Sequence, residues 1–224
     1  MGFGPSTCFC PQASVCQFQK ALSAWALFEP LRKKQVSSFV QTAAASQLGR
    51  MVLRLSKKYH VPGIHVVHRP DLVEALKKEG ADCVLDSSHP QFENELKAAC
   101  ERFEVQYAID AVAGEMTGIL ARSILAGGEL SVYGVLSGKP CEVDAGELIF
   151  RNVQVKGFWL SHYLKDKNPF EMMRLFFDLK KLLKREGATQ ISRRLSLEET
   201  LEEFKRAPEP TSYGKTLVTP VASI

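Results

Sequence analysis

Residues 44–49 read Ala-Ala-Ser-Gln-Leu-Gly, a run of small side chains that carries one hydroxyl and closes on a glycine. The chemistry open to such a run is phosphate binding. Small residues let the backbone come close to a pyrophosphate, and Ser46 can cap a following helix whose positive end faces the anion. Set on the fingerprint G-x-G-x-x-G, only the third glycine survives as Gly49, with Ala44 and Ser46 at the first two positions and Gln47 and Leu48 between. A plain small-residue turn of an α/β protein has the same composition. The second chemical feature lies about 20 residues on, where an NAD site places Asp or Glu against the ribose 2′-hydroxyl. Here the chain reads Val66-Val67-His68-Arg69, with no carboxylate before Asp71. A guanidinium at that place suits a 2′-phosphate; a solvated arginine ahead of a helix-opening proline is the alternative.

Other motifs lead nowhere. Gly214-Lys215-Thr216 has the ending of a P-loop, but its leading glycine position is Glu209. Tyr163-x-x-x-Lys167 has the spacing of short-chain dehydrogenases, yet Asn168-Pro169 interrupts any continuous helix there, so chance explains it better. No G-x-S-x-G elbow and no H-E-x-x-H occur, which leaves hydrolase and metalloprotease readings without support. Six cysteines include no C-x-x-C pair, and no histidine lies near Cys8, Cys10 and Cys16. No metal site is expected, and free thiols in a reducing compartment fit better.

These residues need strands and turns to bring them together. β-rich runs occur at Ser38 to Thr42, Ile64 to Val67, Cys83 to Leu85, Tyr107 to Asp110, Leu130 to Tyr133 and Val153 to Trp159. Between them the spacing is helical: Leu48, Met51, Val52 and Leu55; Leu72, Val73 and Leu76 after Pro70; Phe92, Leu96, Cys100 and Phe103; then Met116, Ile119, Leu120 and Ser123. Alternation of this kind predicts an α/β fold, a doubly wound parallel sheet with helices on both faces. A short helix is expected over Ala21 to Leu31, and residues 1–20 read as an irregular tail. The C-terminal part, 161–224, has different spacing. Asn168-Pro169 opens a long helix to Glu186, and Ser196-Leu-Glu-Glu199 is a capping box. Gln190 to Arg194 and Thr216 to Val218 read as short strands without a partner in the chain.

The 224 residues carry 29 Lys plus Arg against 25 Asp plus Glu, a net charge of +4, with 45% hydrophobic and 24% charged residues. Such a chain buries a real core, and its charge is too mild for a nucleic-acid surface. No run of about 20 apolar residues spans a membrane. Met1 to Gln19 carries no charge, which denies it the n-region of a secretory signal. Gly2 and Ser6 match a myristoylation pattern that is short enough to arise by chance.

Several segments together resemble the medium-chain dehydrogenase/reductase superfamily: residues 43–51, His65 to Asp71, Gly80-Ala-Asp82, Ala108 to Gly118, Val132 to Gly138 and Gly157 to Ser161. The likeness is to its zinc-free NADPH branch, the quinone oxidoreductases and 2-enoyl thioester reductases. It implies a Rossmann domain over 21–160 with NADPH as cofactor. Ala44, Ser46, Gln47, Leu48 and Gly49 would hold the pyrophosphate, and His68 with Arg69 the 2′-phosphate. Asp110, Ala111 and Val112 would line the cleft. Tyr133, Gly134 and Val135, with Phe158, Trp159 and Leu160, would flank the nicotinamide, and Lys215 would reach the cofactor phosphate. No catalytic residue is assigned.

Complete members of that branch carry an N-terminal barrel-like domain, and residues 1–20 are too few to replace it. A truncated product, or a retained binding module, is therefore expected. The activity implied is NADPH-dependent reduction of an activated C=C bond, an enoyl thioester or a quinone; the alternative is a non-catalytic NADPH-binding or regulatory module. The partners implied are a small-molecule substrate and no nucleic acid, with a homodimer left open. The expected place is the cytoplasm or an organellar matrix, without secretion.

Overall fold

The computed structural model describes residues 11–185, 191–196 and 215–219, with side chains over 18–177 and at Leu179. Six strands form one parallel sheet: β1 (Phe39–Gln41), β2 (Gly63–Val67), β3 (Cys83–Asp86), β4 (Tyr107–Asp110), β5 (Glu129–Val132) and β6 (Gln154–Gly157). Their spatial order is β3-β2-β1-β4-β5-β6, every neighbouring pair being parallel. The crossovers carry helices α2 (Gln47–Tyr59), α3 (Pro70–Lys78), α4 (Phe92–Arg102), α5 (Glu115–Ser123) and the single turn α6 (Ala145–Ile149). This is the doubly wound Rossmann arrangement that the alternation predicts. The strand order reverses between β1 and β4, which opens a crevice beyond their carboxyl ends.

Two apolar layers cover the sheet. On one face Val40, Ile64, Val66, Ala108 and Leu130 pack with Phe92, Leu96 and Cys100 of α4 and Leu120 and Ala121 of α5. On the other, Ala44, Val67 and Val84 pack with Leu53 of α2 and Leu76 of α3. β2 and β4 are buried at every position, as strands covered on both faces must be.

The chain enters the sheet through α1 (Pro11–Lys33), a helix twice the expected length. Residues 11–20, read from sequence as an irregular tail, are helical. Proline is tolerated in a first turn, where its missing N–H has no intrahelical partner. Ala21, Ala24, Trp25, Phe28 and Leu31 form the buried stripe of α1. Phe28 stacks on Tyr59 of α2 at 5.8 Å and meets Phe39 of β1 edge-on at 6.2 Å, while Trp25 meets Tyr59 at 5.9 Å.

Beyond β6 come α7 (Leu160–Lys165) and α8 (Pro169–Arg185). Asn168 Oδ1 accepts from Glu171 N at 2.9 Å and Glu171 Oε2 accepts from Asn168 N at 3.0 Å, a reciprocal cap that explains why α8 starts there. The compact unit holding the sheet ends at Lys180, so α7 and most of α8 belong with it, whereas the sequence suggests a break at 160. The second unit contains β7 (Ile191–Ser196) and β8 (Lys215–Thr219). The two strands expected to be orphans pair with each other in parallel, from Ile191 opposite Lys215 to Ser196 opposite Thr219. Residues 1–10, with Gly2, Cys8 and Cys10, lie outside the described residues, as do Gly187 and the capping-box positions 197–199.

Candidate functional site

The turn after β1 is built for close approach. Ala43 is left-handed (φ 49°), Ala44 N donates to Val66 O at 3.0 Å, and Ser46 N donates back to Ala43 O at 2.9 Å. Ser46 is the N-cap of α2, its Oγ accepting from Gly49 N at 3.0 Å. Gly49 admits no side chain: a Cβ there would stand 2.7 Å from Ala43 O, Ala44 Cα and Ala44 O. The first turn of α2 is therefore drawn onto the end of β1. Behind it, Gln41 Nε2 donates to Gly49 O at 3.0 Å and to His65 Nδ1 at 2.8 Å, tying β1, α2 and β2 together. Accepting at Nδ1 leaves His65 protonated at Nε2, a buried nitrogen without a hydrogen-bond partner among the described residues. Burial depresses this imidazole to about 4. Ala44 is wholly buried, Leu48 is half-buried, and Gln47 accepts from Lys20 Nζ at 2.7 Å.

Past β2, His68 is exposed with Nδ1 3.0 Å from Ser87 Oγ. Arg69 forms a fork with Asp71, Nε to Oδ1 at 3.0 Å and Nη2 to Oδ2 at 2.5 Å.

The end of β4 departs from expectation. Asp110 and Ala111 are buried, and of the three residues expected to line the cleft here only Val112 keeps surface. The Asp110 carboxylate accepts from Thr42 Oγ1 and Val112 N, each at 2.8 Å, on Oδ1. On Oδ2 it accepts from Thr117 Oγ1 at 2.8 Å and Ala113 N at 3.2 Å. Thr42 Oγ1 accepts in turn from Ala111 N at 2.8 Å. Asp110 thus holds the loops after β1 and β4 in register. Ala113, like Ala43, is left-handed (φ 61°), so the two strands bordering the crevice both leave the sheet through a strained alanine. Gln41 and Thr42 carry no motif that would mark them in the sequence, and Ala113 and Thr117 lie within the resembling segment Ala108 to Gly118 without a role assigned to them.

After β5, Tyr133 N donates to Asp110 O at 2.9 Å, and Gly134 passes so close that a Cβ would meet Ala111 O at 2.8 Å. Val135 and Leu136 are 60% and 71% exposed beside that edge. After β6, Phe158 is half-buried, and Trp159, 68% exposed, stacks on His162 at 5.6 Å ahead of half-buried Leu160. All the sequence-assigned residues except Lys215 therefore lie at or past the carboxyl ends of strands in one sheet. Lys215 opens β8 in the second unit, and its side chain lies outside the described residues.

Tyr163 and Lys167 do come together, through a residue more than 130 positions away. Glu29 Oε2 accepts from Tyr163 Oη at 2.6 Å and from Lys167 Nζ at 2.7 Å, and Lys167 lies 4.6 Å over the Tyr163 ring. Burial, then the Glu29 carboxylate, pushes the Tyr163 phenol well above its ordinary value. Burial does the same to Tyr133. Both phenols are weaker acids than an ordinary tyrosine.

Among the described residues no three His, Cys, Asp or Glu side chains gather to hold a metal. Burial pushes the Cys100 thiol up to about 12 and raises Cys83, which disfavours the thiolate form that zinc requires.

A family model described as zinc-binding dehydrogenase matches residues 48–178. Mitochondrial enoyl-[acyl-carrier-protein] reductases match in sequence. That of Dictyostelium discoideum is 28% identical over 66% of this chain and 45% of its own length, and that of Homo sapiens 30% over 66% and 41%. The chain thus spans less than half the length of these curated relatives. Among solved structures, a protein described as an NADPH:quinone reductase from Mesorhizobium loti superposes with a TM-score of 0.79 at 24% identity, over 96% of this chain and 62% of that one. A mitochondrial 2-enoyl thioester reductase heterodimer from Candida tropicalis superposes at 0.65 and 21%, over 79% and 52%. These likenesses establish the fold.

Proposed function

The chain belongs to the zinc-binding dehydrogenase family, within the medium-chain dehydrogenase/reductase superfamily, and on that footing we propose that it is the NADPH-binding part of an oxidoreductase acting on an enoyl thioester or a quinone. The observation that carries this reading is the end of β1, where Gly49 is packed too tightly for a Cβ and Ser46 caps α2. A pyrophosphate there meets the positive end of a helix at close range. His68 and Arg69 stand past the neighbouring strand, where the 2′-phosphate would fall. NADPH, when bound, supplies a hydride. Val135, Phe158 and Trp159, past the ends of neighbouring β5 and β6, would supply an apolar wall beside the nicotinamide.

The non-catalytic reading is favoured by a separate observation. Burial makes both phenols near that wall weaker proton donors than an ordinary tyrosine, and the Tyr163 hydroxyl already spends its hydrogen on Glu29. We therefore expect the 224-residue chain to bind cofactor better than it turns over substrate. NADPH should raise the melting temperature, and Arg69→Ala should weaken NADPH binding about tenfold through loss of a charge-assisted contact. NADPH oxidation with a 2-enoyl thioester or a quinone should stay near background. Absence of any thermal shift at millimolar NADPH would sink the cofactor reading, and robust turnover would sink the non-catalytic one.

A second copy of the chain is the partner we favour. β6 is an edge strand, and nearby Ile149 and Phe150 are 70% and 85% exposed. Phe150→Glu should reduce the mass measured by sedimentation if that edge joins two copies. Among the described residues no helix is long and apolar enough to cross a membrane. With relatives named as mitochondrial, we favour an organellar matrix as the place to look first.

A further inference from the structure

Asp71 is the carboxylate that the cofactor reading leaves without a task. It stands in the first turn of α3, two residues past Arg69, and both its oxygens accept from the Arg69 guanidinium, at 3.0 Å and 2.5 Å. The backbone fixes it there. Arg69 is extended (φ −142°, ψ 132°) as N-cap of α3, it gives no side-chain cap bond, and Pro70 sets the first helical φ. An acid in the first turn of a helix is also favoured by the positive helix end. One carboxylate therefore collects the two positive features that an arriving 2′-phosphate would use: the fork of Arg69 and the start of α3. The side chains of Arg69 and Asp71 are 35% and 57% exposed, so a ligand can reach the pair.

The two forms of the dinucleotide meet this pair differently. A 2′-phosphate must draw at least part of the guanidinium away from Asp71 and settle beside a like charge. A 2′-hydroxyl does neither, because it can donate a hydrogen bond to the carboxylate as it stands. Resting on the NADPH reading above, we propose that Asp71 is a specificity-determining residue that narrows the preference for NADPH over NADH, so that this chain accepts both cofactors. The effect is modest because the pair is exposed: coupling between such charges corresponds to a factor of about 1.4 to 5 in an equilibrium constant. Asp71→Asn keeps the size and one acceptor oxygen of the side chain but removes the charge. The ratio of NADPH to NADH affinity should then rise about 1.4- to fivefold, chiefly through tighter NADPH.

The test uses the full chain, with Asp71→Asn, Arg69→Ala and the double variant, titrated with NADPH and with NADH by calorimetry at low and at high salt. The ratio of two affinities measured on one protein isolates the 2′ position and cancels any difference in folded fraction. The expected result is a raised ratio in Asp71→Asn, a gain that shrinks at high salt and largely disappears when Arg69 is alanine. A ratio unchanged or lowered in Asp71→Asn, with NADPH still bound by the parent chain, overturns this proposal and leaves the cofactor reading standing. A parent chain that binds neither dinucleotide overturns both.

Discussion

Replacing Asp110 should unsettle the protein more than replacing any residue at the surface of the site. Its carboxylate accepts four hydrogen bonds at 2.8 to 3.2 Å, two from threonine hydroxyls and two from backbone amides, and none of its surface is exposed. Alanine would strand four donors around a small void. Hydrogen bonds to a charged acceptor contribute about 1.5 to 3 kcal/mol each before the cost of burying that charge is subtracted. That cost is several kcal/mol and is recovered when the carboxylate is removed. The difference is a net loss of about 3 to 5 kcal/mol, a large part of the 5 to 15 kcal/mol typical of a whole domain. Asparagine is gentler. Its oxygen can serve Thr42 and Val112, and the Thr117 hydroxyl can rotate to accept, which leaves only the Ala113 amide facing another donor. That change should cost about 1 to 2 kcal/mol. Urea unfolding followed by circular dichroism, with the slope checked for a common denatured state, measures both. If Asp110→Ala lies within 1 kcal/mol of the parent, or Asp110→Asn is the worse of the two, the accounting is wrong.

Three further outcomes are expected. Gly49→Ala should destabilise by about 1 to 3 kcal/mol in the same denaturation assay and weaken NADPH binding, because its Cβ would press on the backbone of residues 43 and 44 at 2.7 Å. His65 has a folded value of about 4 against an ordinary 6.5, so below pH 6.5 the unfolded chain takes up a proton that the folded chain refuses. Stability from this residue should be intact above pH 6.5 and fall by about 3 kcal/mol on the way down to pH 4, a slope that His65→Gln should flatten. Glu29→Gln should lower the melting temperature by a few degrees at pH 7, since it removes the charge shared by Tyr163 and Lys167. The deficit should vanish in acid, because the Glu29 carboxylate, held below its ordinary value by those partners, is itself protonated there.

What sequence reasoning reached, and what it missed, divides by range. Strand β4 and the start of α3 at Pro70 agree with the reading because alternation and proline geometry are local. The Ser46 cap also agrees, since a hydroxyl at an N-cap needs only the three residues after it. The convergence of Glu29 with Tyr163 and Lys167 was illegible, for no local rule joins residues that far apart. The same holds for the pairing of Ile191–Ser196 with Lys215–Thr219, where each strand alone looks unpartnered. Asp110 differs in another way. The family resemblance implies a place lining the cleft, and only the positions of Thr42 and Thr117 show its carboxylate turned inward. Residues 11–20 lack an apolar period, yet they continue a helix whose anchoring stripe begins at Ala21.

The left-handed alanines at 43 and 113 bear on how this sequence can change. An L-residue in that conformation costs about 1 to 2 kcal/mol relative to glycine, against about 0.4 to 1 kcal/mol that glycine loses through the freedom of the unfolded chain. Glycine at either position is therefore neutral to favourable for folding, and every alanine codon is one base change from a glycine codon. Random mutagenesis under selection for heat resistance has this step within immediate reach at both ends of the crevice. Each such step relaxes a turn beside the crevice while leaving Ala44, Ser46 and Gly49 untouched, so stability can be gained at the site's border without altering the residues that would meet a pyrophosphate.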